Sequence, residues 1–558
     1  MKKIIIYQVL PRLFGNDNRT HQPNGTIQTN GCGKMNDFTP RALEQIKALG
    51  ATHIWYTGII EHATKTDNSH YGIPGDAPAV VKGCAGSPYA IKDYYDIDPD
   101  IATSIPARMK EFEDLLSRTH KAGMDVIIDF VPNHVSRLYH SDARPDGVTD
   151  LGQNDDTTQA FSPQNNFYYM PNETFGIEGV DLQGYYEHPA KATGNNQFTA
   201  YPNRNDWYET VKLNYGVDYT GGTGMHFNPI PRTWKQMLHI LLFWAEKGID
   251  GFRCDMAEMV PVEFWRWAIT QVKAQYPNIL FIAEVYNPNE YRNYLEQGHF
   301  DYLYDKVGMY DCLRAITQGY MQTSDITSRW QEVDDIRDHM LYFLENHDEQ
   351  RLASDFFAGD GERGKAALIV AATMGRNPFM LYFGQELGER GMDAEGFSGR
   401  DGRTTIFDYW MVDSVRRWRN RNRFDNRQLT PSEVSLQQFY SRVLNLCNSE
   451  DALREGDMYD LMYANLRNES FNPGKQYAFV RRKGNTIILV VANFDDRDAE
   501  VAVNIPQHLF EFYGLKESSE VQTEELLASC PFHIPFNSKE PTPLLVQAHS
   551  GRLLRFNL

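Results

Sequence analysis

The sequence is short of cysteine, of long apolar runs and of net positive charge. Its 558 residues include six cysteines, and none of them falls in a CxxC pair or at zinc-ligand spacing. This pattern excludes a zinc ribbon and a dense disulfide framework. We expect most of the cysteines to be buried thiols. Cys32 and Cys84 both lie in loop-like sequence, which leaves one disulfide between them open.

The apolar run at the start of the chain is too short for a leader or a membrane span. Two lysines precede it, and Gln8 and Arg12 interrupt it. We interpret this run as a first β-strand and expect no membrane partner. The retained Met1 favours a cytoplasmic protein. The alternative is a secreted or periplasmic protein whose leader has been removed.

The charge balance is acidic, with a formal net charge of −19 from 55 basic and 74 acidic residues. Such a balance argues against nucleic acid and against an anionic membrane as partners. A neutral polymer is not excluded. Aromatic residues make up 13% of the chain, and flat aromatic faces suit sugar rings, although many of these residues must belong to the core.

A chain of this length predicts two or three domains. Thr39 and Pro40 open a helix, and a strand follows directly at residues 52–56, which is the repeating unit of a (β/α)8 barrel. The barrel pattern stops after the third strand, where about a hundred residues are dense in Asn, Gly, Tyr and Asp. Alternating strands follow from residue 451. We therefore predict a barrel at 1–133 and 234–450, an insertion at 134–233, and a β-domain at 451–558.

Four stretches of the barrel region begin with core residues and end in charged or polar ones. Because the carboxyl ends of barrel strands converge on one face, these ends are expected to meet. The stretches are residues 125–134, 248–255, 278–285 and 341–348.

The second of these stretches ends in Arg253 and Asp255, which point the same way on a strand. A cation beside a carboxylate favours its charged form and so its use as a nucleophile. Taken alone, an ion pair at a barrel rim is an equally good interpretation. Glu284 ends an apolar strand among other carboxylates, which favours a carboxyl that keeps its proton and acts as an acid.

In order and residue type, the four stretches resemble the four signature regions of the α-amylase family of glycoside hydrolases. Residues 211–214, Val-Lys-Leu-Asn, look like the additional motif of that family. The resemblance implies an α/β fold: a (β/α)8 TIM barrel with an inserted domain B after strand 3 and a C-terminal antiparallel β-sandwich. It also implies a retaining mechanism.

The resemblance implies a role for each of three acids. Asp255 would be the nucleophile, Glu284 the acid and then the base, and Asp348 the stabiliser of the transition state. Asp129 and Asn346 are interpreted as supports that orient Arg253 and its neighbours. Glu345 has no evident role.

Substrate-binding residues also follow from the resemblance. Tyr89 would stack under the sugar, His134 and His347 would bind its hydroxyl groups, and Arg253 belongs to the same set. The alternatives are a rim aromatic for Tyr89 and structural roles for the histidines.

The resemblance further implies a structural calcium ion, with Asn133 in the position of a ligand. One amide oxygen is not a site, because calcium takes six to eight oxygens. Asp181, Asp206 and Asp218 are unranked candidates for the others.

The expected function is endo-acting hydrolysis of α-1,4-glucosidic bonds in starch, maltodextrin or related α-glucans. Relatives that trim chain ends often carry an aspartate where this chain has Gly86. Glu258 and Met259 replace the lysine and histidine of many starch-degrading relatives, which leaves acceptor preference open. The alternatives are a maltodextrin-acting hydrolase, an α-glucan transferase, or a non-catalytic glucan-binding barrel. The sequence does not determine the oligomeric state.

Overall fold

The computed structural model describes residues 3–558. Met1 and Lys2, on which the expectation about a leader depends, lie outside the described residues. The centre of the molecule is a closed barrel of eight parallel strands, as predicted. Its first and eighth strands pair with Ile5 opposite Phe379. In chain order the strands are Ile5–Val9, His53–Tyr56, Asp125–Phe130, Gly251–Cys254, Leu280–Ala283, Tyr302–Tyr304, Met340–Phe343 and Phe379–Tyr382.

Helices cover the barrel from outside, and all residues of helix Lys365–Thr373 except Lys365 are buried. Thr39 caps the first of them by accepting a hydrogen bond from the backbone N–H of Ala42. Thr430 and Glu433 form a capping box at the start of the last barrel helix. The main helices are Pro40–Ala48, Arg108–Lys121, Arg232–Glu246, Val262–Gln275, Asp311–Thr317, Asp325–Glu332, Lys365–Thr373, Asp413–Arg419 and Pro431–Ser449.

The segment between the third strand and helix Arg232–Glu246 forms the predicted insertion. It contains short antiparallel pairs instead of barrel units: His134–Ser136 with Thr210–Lys212, Tyr169–Met170 with Ala190–Lys191, and Val217–Asp218 with Gly224–Met225. Phe175 and Ile177 belong to a small apolar cluster that also includes Val80, from the loop after the second barrel strand. A hairpin of Ile60–His62 and Ile91–Ile97 follows the second barrel strand. The bounds 134–233 stay a prediction.

The C-terminal region folds into two antiparallel sheets. The larger sheet has the strand order Asp457–Asp460, Gln476–Lys483, Thr486–Asn493, Ser550–Asn557, Ser518–Glu525 and Cys530–Phe536. The smaller one pairs Ala499–Val503 with Thr542–Val546. Helix Gln507–Tyr513 connects them. The turn predicted at residues 483–485 joins the second and third strands of the larger sheet.

All six cysteines are free, so the disulfide left open between Cys32 and Cys84 is absent. Cys84 Sγ instead lies 3.2 Å from the carbonyl oxygen of Asn24. Within residues 3–558, no helix combines the length and the apolar character needed to cross a membrane.

Candidate active site

Arg253 is the centre of the polar framework at the carboxyl ends of the barrel strands. Its Nη1 lies 2.8 Å from Asp255 Oδ1 and 3.5 Å from Asp129 Oδ1, and its Nη2 lies 2.8 Å from Glu284 Oε2. The guanidinium is buried, with 0% of the residue exposed. One cation is therefore shared by both acids expected to break the bond and by Asp129.

Asp129 contacts the Arg253 guanidinium and is itself fixed by a hydrogen bond. Its Oδ2 accepts a hydrogen bond from Trp55 Nε1 at 3.0 Å. Burial raises the pKa of Asp129 to about 6, against the opposing effect of Arg253. The prediction that Asp129 orients Arg253 agrees with this contact.

Glu284 is fixed through both of its carboxyl oxygens. Oε2 accepts from the backbone N–H of Met256 at 2.8 Å, and Oε1 accepts from the hydroxyl of Tyr286 at 2.6 Å. Met256 has a positive φ of 43°, which is rare for a residue with a side chain. The N–H directly after Asp255 therefore donates to Glu284, so the two acids are linked through the backbone.

Asp348 follows the seventh strand and is the most accessible of the three acids, with 33% of its side chain exposed. Asn346 Oδ1 accepts from the backbone N–H groups of Asp348 and Glu349, both at 2.9 Å. Asn346 therefore holds the turn that carries Asp348, and its observed contacts are not those predicted with Arg253. Glu345 pairs with Arg351 at 2.9 Å away from the cavity, which gives it a structural role.

His347 lies beneath the cavity and contacts Gln8 of the first strand as well as Tyr89 and Asp348. The amide Nε2 of Gln8 lies 2.8 Å from His347 Nδ1, and because an amide nitrogen can only donate, Nδ1 accepts. The proton of the neutral ring is then on Nε2, which is 2.6 Å from the hydroxyl of Tyr89 and 3.1 Å from Asp348 Oδ2. Burial lowers the pKa of His347 well below its usual value. The structure thus places a neutral donor between Tyr89 and Asp348.

His134 lies on the other side of Asp255, with Nε2 4.0 Å from Asp255 Oδ2. Burial and the nearby Lys212 lower its pKa to about 3, so the ring stays neutral. Its Nδ1 is 3.1 Å from Asn133 Nδ2, which donates to it. The remaining ring proton is therefore on Nε2, and the ring also hydrogen-bonds the backbone of Tyr89, so that Asp255 lies near His134 without accepting a hydrogen bond from it.

One cavity of about 390 Å³ brings the predicted groups together. Its wall includes Asp255, Glu284, Asp348, Tyr89 and His134. Arg253 and His347 lie immediately behind this wall, at 0% and 1% exposure, and contact the acids directly. Direct contact of these two with a sugar stays a prediction.

The rest of the cavity wall was not predicted from the sequence. Lys82 Nζ pairs with Glu209 Oε1 at 3.1 Å and lies 6.0 Å from the centre of the Phe407 ring. The pair connects the loop after strand 2 with the insertion and with the loop after strand 8. Trp207 packs against His134 with ring centres 5.2 Å apart. The aromatic composition of 205–209 was the available signal.

The electrostatics of the three acids are set by burial and by one another. Burial, together with Glu284 and Asp348, raises the pKa of Asp255, and the contact with Arg253 opposes this rise. Burial and Glu284 likewise raise the pKa of Asp348 to about 7. Loss of Arg253 would leave these acids to repel one another in a low-dielectric site.

The surroundings of Asn133 do not fit the calcium ion that the family resemblance implies. Asn133 Oδ1 accepts a hydrogen bond from the ammonium group of Lys212. Asp181, Asp206 and Asp218 make their hydrogen bonds elsewhere: with Gln183, with Asn195 and Asn203, and with Thr220 and Gly221. A cation already occupies the position expected for the metal.

Carboxylates do converge at a different place, beside the hairpin after strand 2. Ligand oxygens of Glu61, Asp93, Asp96 and Asp142 all lie within 4.8 Å of one another. Neither oxygen of the buried Glu61 accepts a hydrogen bond. Burial and Asp93 raise its pKa to about 9, although Lys92 Nζ is 3.9 Å away. We call these four residues the acidic group.

The fold and the arranged carboxyl groups are those of a glycosidase built on a barrel. The family model for the α-amylase catalytic domain matches residues 8–511. The chain therefore belongs to the α-amylase family and is a glycosidase that acts on α-glucans.

Individual relatives are distant but cover most of the chain. Alpha-amylase 3 of Dictyoglomus thermophilum is 24% identical over 475 residues, which is 82% of this chain and 79% of that protein. Neopullulanase 2 of Thermoactinomyces vulgaris is 22% identical over 414 residues, or 70% and 57% of the two chains. The crystal structure of a noncanonic maltogenic alpha-amylase, AmyB from Thermotoga neapolitana, has a TM-score of 0.63 and 20% identity, with coverage of 100% and 99%.

Proposed function

We propose that the protein hydrolyses α-1,4-glucosidic bonds of starch, maltodextrin or related α-glucans, cutting within the chain and retaining the anomeric configuration. The observation that supports this most is the position of Arg253. It contacts Asp255 and Glu284, each at 2.8 Å, at the wall of a cavity that also holds Asp348. Two carboxyl groups on one cavity wall are what double displacement requires.

In the proposed first step, Asp255 attacks the anomeric carbon and the glycosidic oxygen leaves with a proton from Glu284. Arg253 favours the ionised form of Asp255 that this attack requires. Because Glu284 Oε2 already faces Arg253 and the N–H of Met256, the transferred proton belongs on Oε1, beside the hydroxyl of Tyr286.

In the second step, Glu284 removes a proton from water, and the water breaks the ester between Asp255 and the sugar. Asp348 would stabilise the positive charge that develops at the anomeric carbon in both steps. Tyr89, which lies on the cavity wall and stacks on His347 at 5.1 Å between ring centres, offers a flat face to the sugar.

The endo-acting mode is supported by Gly86. Its φ is +77°, and a Cβ atom would lie 1.6 Å from the carbonyl oxygen of Ala63. No side chain fits at this position, so an aspartate that would close the cavity around a chain end has no room there.

Digestion of soluble starch tests the proposal. We expect reducing ends to appear with the wild type and to fall by at least about 10³-fold in Asp255→Asn, because the amide cannot attack. Product analysis by NMR should show the α-anomer first. No reducing ends from the wild type, or equal activity in the variant, would overturn the proposal. Glucan binding without turnover would instead favour the non-catalytic alternative.

Transfer to a second sugar is the other candidate reaction. Met256, Phe397 and Phe407 give part of the cavity an apolar wall, which suits a sugar acceptor better than water. Chromatography of products from maltoheptaose separates the two reactions, because only transfer yields chains longer than the input.

For the calcium ion of the family, we propose the acidic group as the binding site instead of Asn133. The supporting observation is Glu61, whose two buried oxygens lack hydrogen-bond donors and face three further carboxylates. Calorimetric titration should show calcium uptake by the wild type and its loss in Glu61→Gln. Equal uptake by both proteins would refute this site.

A further inference from the structure

Lys212 is a buried lysine that lacks an acidic partner. It is 2% exposed, and within residues 3–558 no carboxylate oxygen lies within ion-pair distance of its Nζ. Burial lowers its pKa to about 7. A buried ammonium is costly unless its protons are matched by acceptors, so the groups around it must supply them.

The acceptors are neutral oxygens from two separate parts of the barrel. Nζ donates to Asn133 Oδ1, just past the third strand, and to the carbonyl oxygen of Met259 at 3.1 Å, just past the fourth. The ring of Tyr219, in the insertion, lies 5.8 Å away. These are the kinds of oxygen that a hard metal ion would use, but they are arranged around an ammonium group.

Lys212 itself belongs to the insertion. Its strand, Thr210–Lys212, pairs with His134–Ser136, with Lys212 opposite His134. The Lys212 side chain thus connects the insertion with the ends of two barrel strands. His134 follows the third strand, and Asp255 begins the turn of residues 255–259 after the fourth; both residues line the cavity. A divalent cation placed here would meet the ammonium at contact distance, so the two cannot be bound together.

We propose that the Lys212 ammonium takes the place of a structural metal ion at Asn133. The packing of the insertion against the barrel at this point then does not require a bound metal ion. The inference does not depend on the reaction catalysed or on the acidic group. It predicts that calcium and its removal have no effect through Asn133.

Thermal unfolding with excess EDTA or with millimolar Ca²⁺ tests the proposal in three variants. Lys212→Met removes the charge and leaves two buried acceptors without a donor, and we expect its Tm to fall by about 2–5 °C in both conditions. Lys212→Asp places a carboxylate beside Asn133 Oδ1 and the Met259 carbonyl. We expect it to be destabilised in EDTA and to recover Tm with Ca²⁺, as ligand binding to the folded state requires. Lys191→Met is the matched control in the same insertion, because Lys191 pairs with Glu187 instead, at 3.8 Å.

Calcium binding by the wild type tests the proposal even where Lys212→Asp fails to fold. Calcium binding by the wild type that is abolished in Asn133→Ala would overturn the proposal, as would a Ca²⁺ response of Lys212→Asp no larger than that of Lys191→Met. Calcium binding that survives Asn133→Ala but is lost in Glu61→Gln belongs to the acidic group and agrees with the proposal.

Discussion

Replacement of Arg253 by methionine is the sharpest test of the polar framework. The side chain keeps its length and apolar stem, but Asp255, Glu284 and Asp129 lose their shared cation. At 2.8 Å, two unit charges attract by about 6 kcal/mol at an effective dielectric constant of 20. Breaking a buried pair costs about 3–5 kcal/mol in practice.

The consequence for catalysis follows from the same numbers. With Arg253 gone, the effect that opposes the raised pKa of Asp255 is lost, so the pKa rises further and a smaller fraction of the nucleophile is ionised. Because each 1.36 kcal/mol is a factor of ten, we expect kcat/KM on maltoheptaose to fall by about 10³-fold. Arg253→Lys retains the charge but cannot contact both acids, and an intermediate loss is expected.

Arg351→Lys is the matched control for Arg253→Lys. Arg351 is also fully buried and pairs with Glu345 at 2.9 Å, but its partner lies outside the cavity wall. This variant should lose stability and keep kcat/KM within about tenfold. Folded Arg253→Met that keeps kcat/KM within tenfold of the wild type, or Arg351→Lys that loses as much as Arg253→Lys, would refute the role of Arg253 as the shared cation.

Three further predictions follow from the structure. The pKa of Asp348 is raised to about 7, so its ionised form is lost as the pH falls below 7. We therefore expect kcat/KM to drop about tenfold per pH unit below pH 7, and a flat profile between about pH 5 and 7 would contradict this. Gly86→Ala should lower the free energy of unfolding by about 3 kcal/mol or more. Gly147 has a similar φ of +82° but open space around it, so Gly147→Ala should lower the same free energy by only about 1–2 kcal/mol. Equal losses for the two variants in chemical denaturation would show that the contact with Ala63 is not the cause. Met256→Gly should raise the free energy of unfolding by up to about 1 kcal/mol, because glycine tolerates φ +43°. Its KM should also rise, because the Met256 side chain forms part of the cavity wall. Lowered stability would show that the packing of the Met256 side chain outweighs the cost of its backbone conformation.

The barrel was predictable because each strand has a simple local signature. An apolar run that ends in a polar residue indicates a barrel strand, and the polar residue then lies at the carboxyl-end face of the barrel. This was enough to predict a common location for Asp255, Glu284 and Asp348, which line one cavity. The structure also confirms the capped helix after Thr39 and the turn at residues 483–485.

Features that depend on two distant segments were not predictable in this way. The sequence pattern marked residues 211–214 as a motif but could not show that the ammonium of Lys212 meets Asn133 Oδ1. The same limit applies to Gln8, whose amide reaches His347 from the opposite end of the barrel region. The left-handed conformation of Met256 is set by tertiary contacts, because local propensity disfavours it.

The pairing of the first barrel strand with the eighth has a consequence for how the protein is made. Ile5 leaves the ribosome some 370 residues before its partner Phe379, so the edge of the first strand stays open for most of synthesis. The hydrogen bond between Gln8 and His347 forms across the same late closure. A nascent chain released before Tyr382 therefore has an exposed strand edge and an incomplete set of groups beneath the cavity, which makes truncated products candidates for aggregation and for chaperone capture.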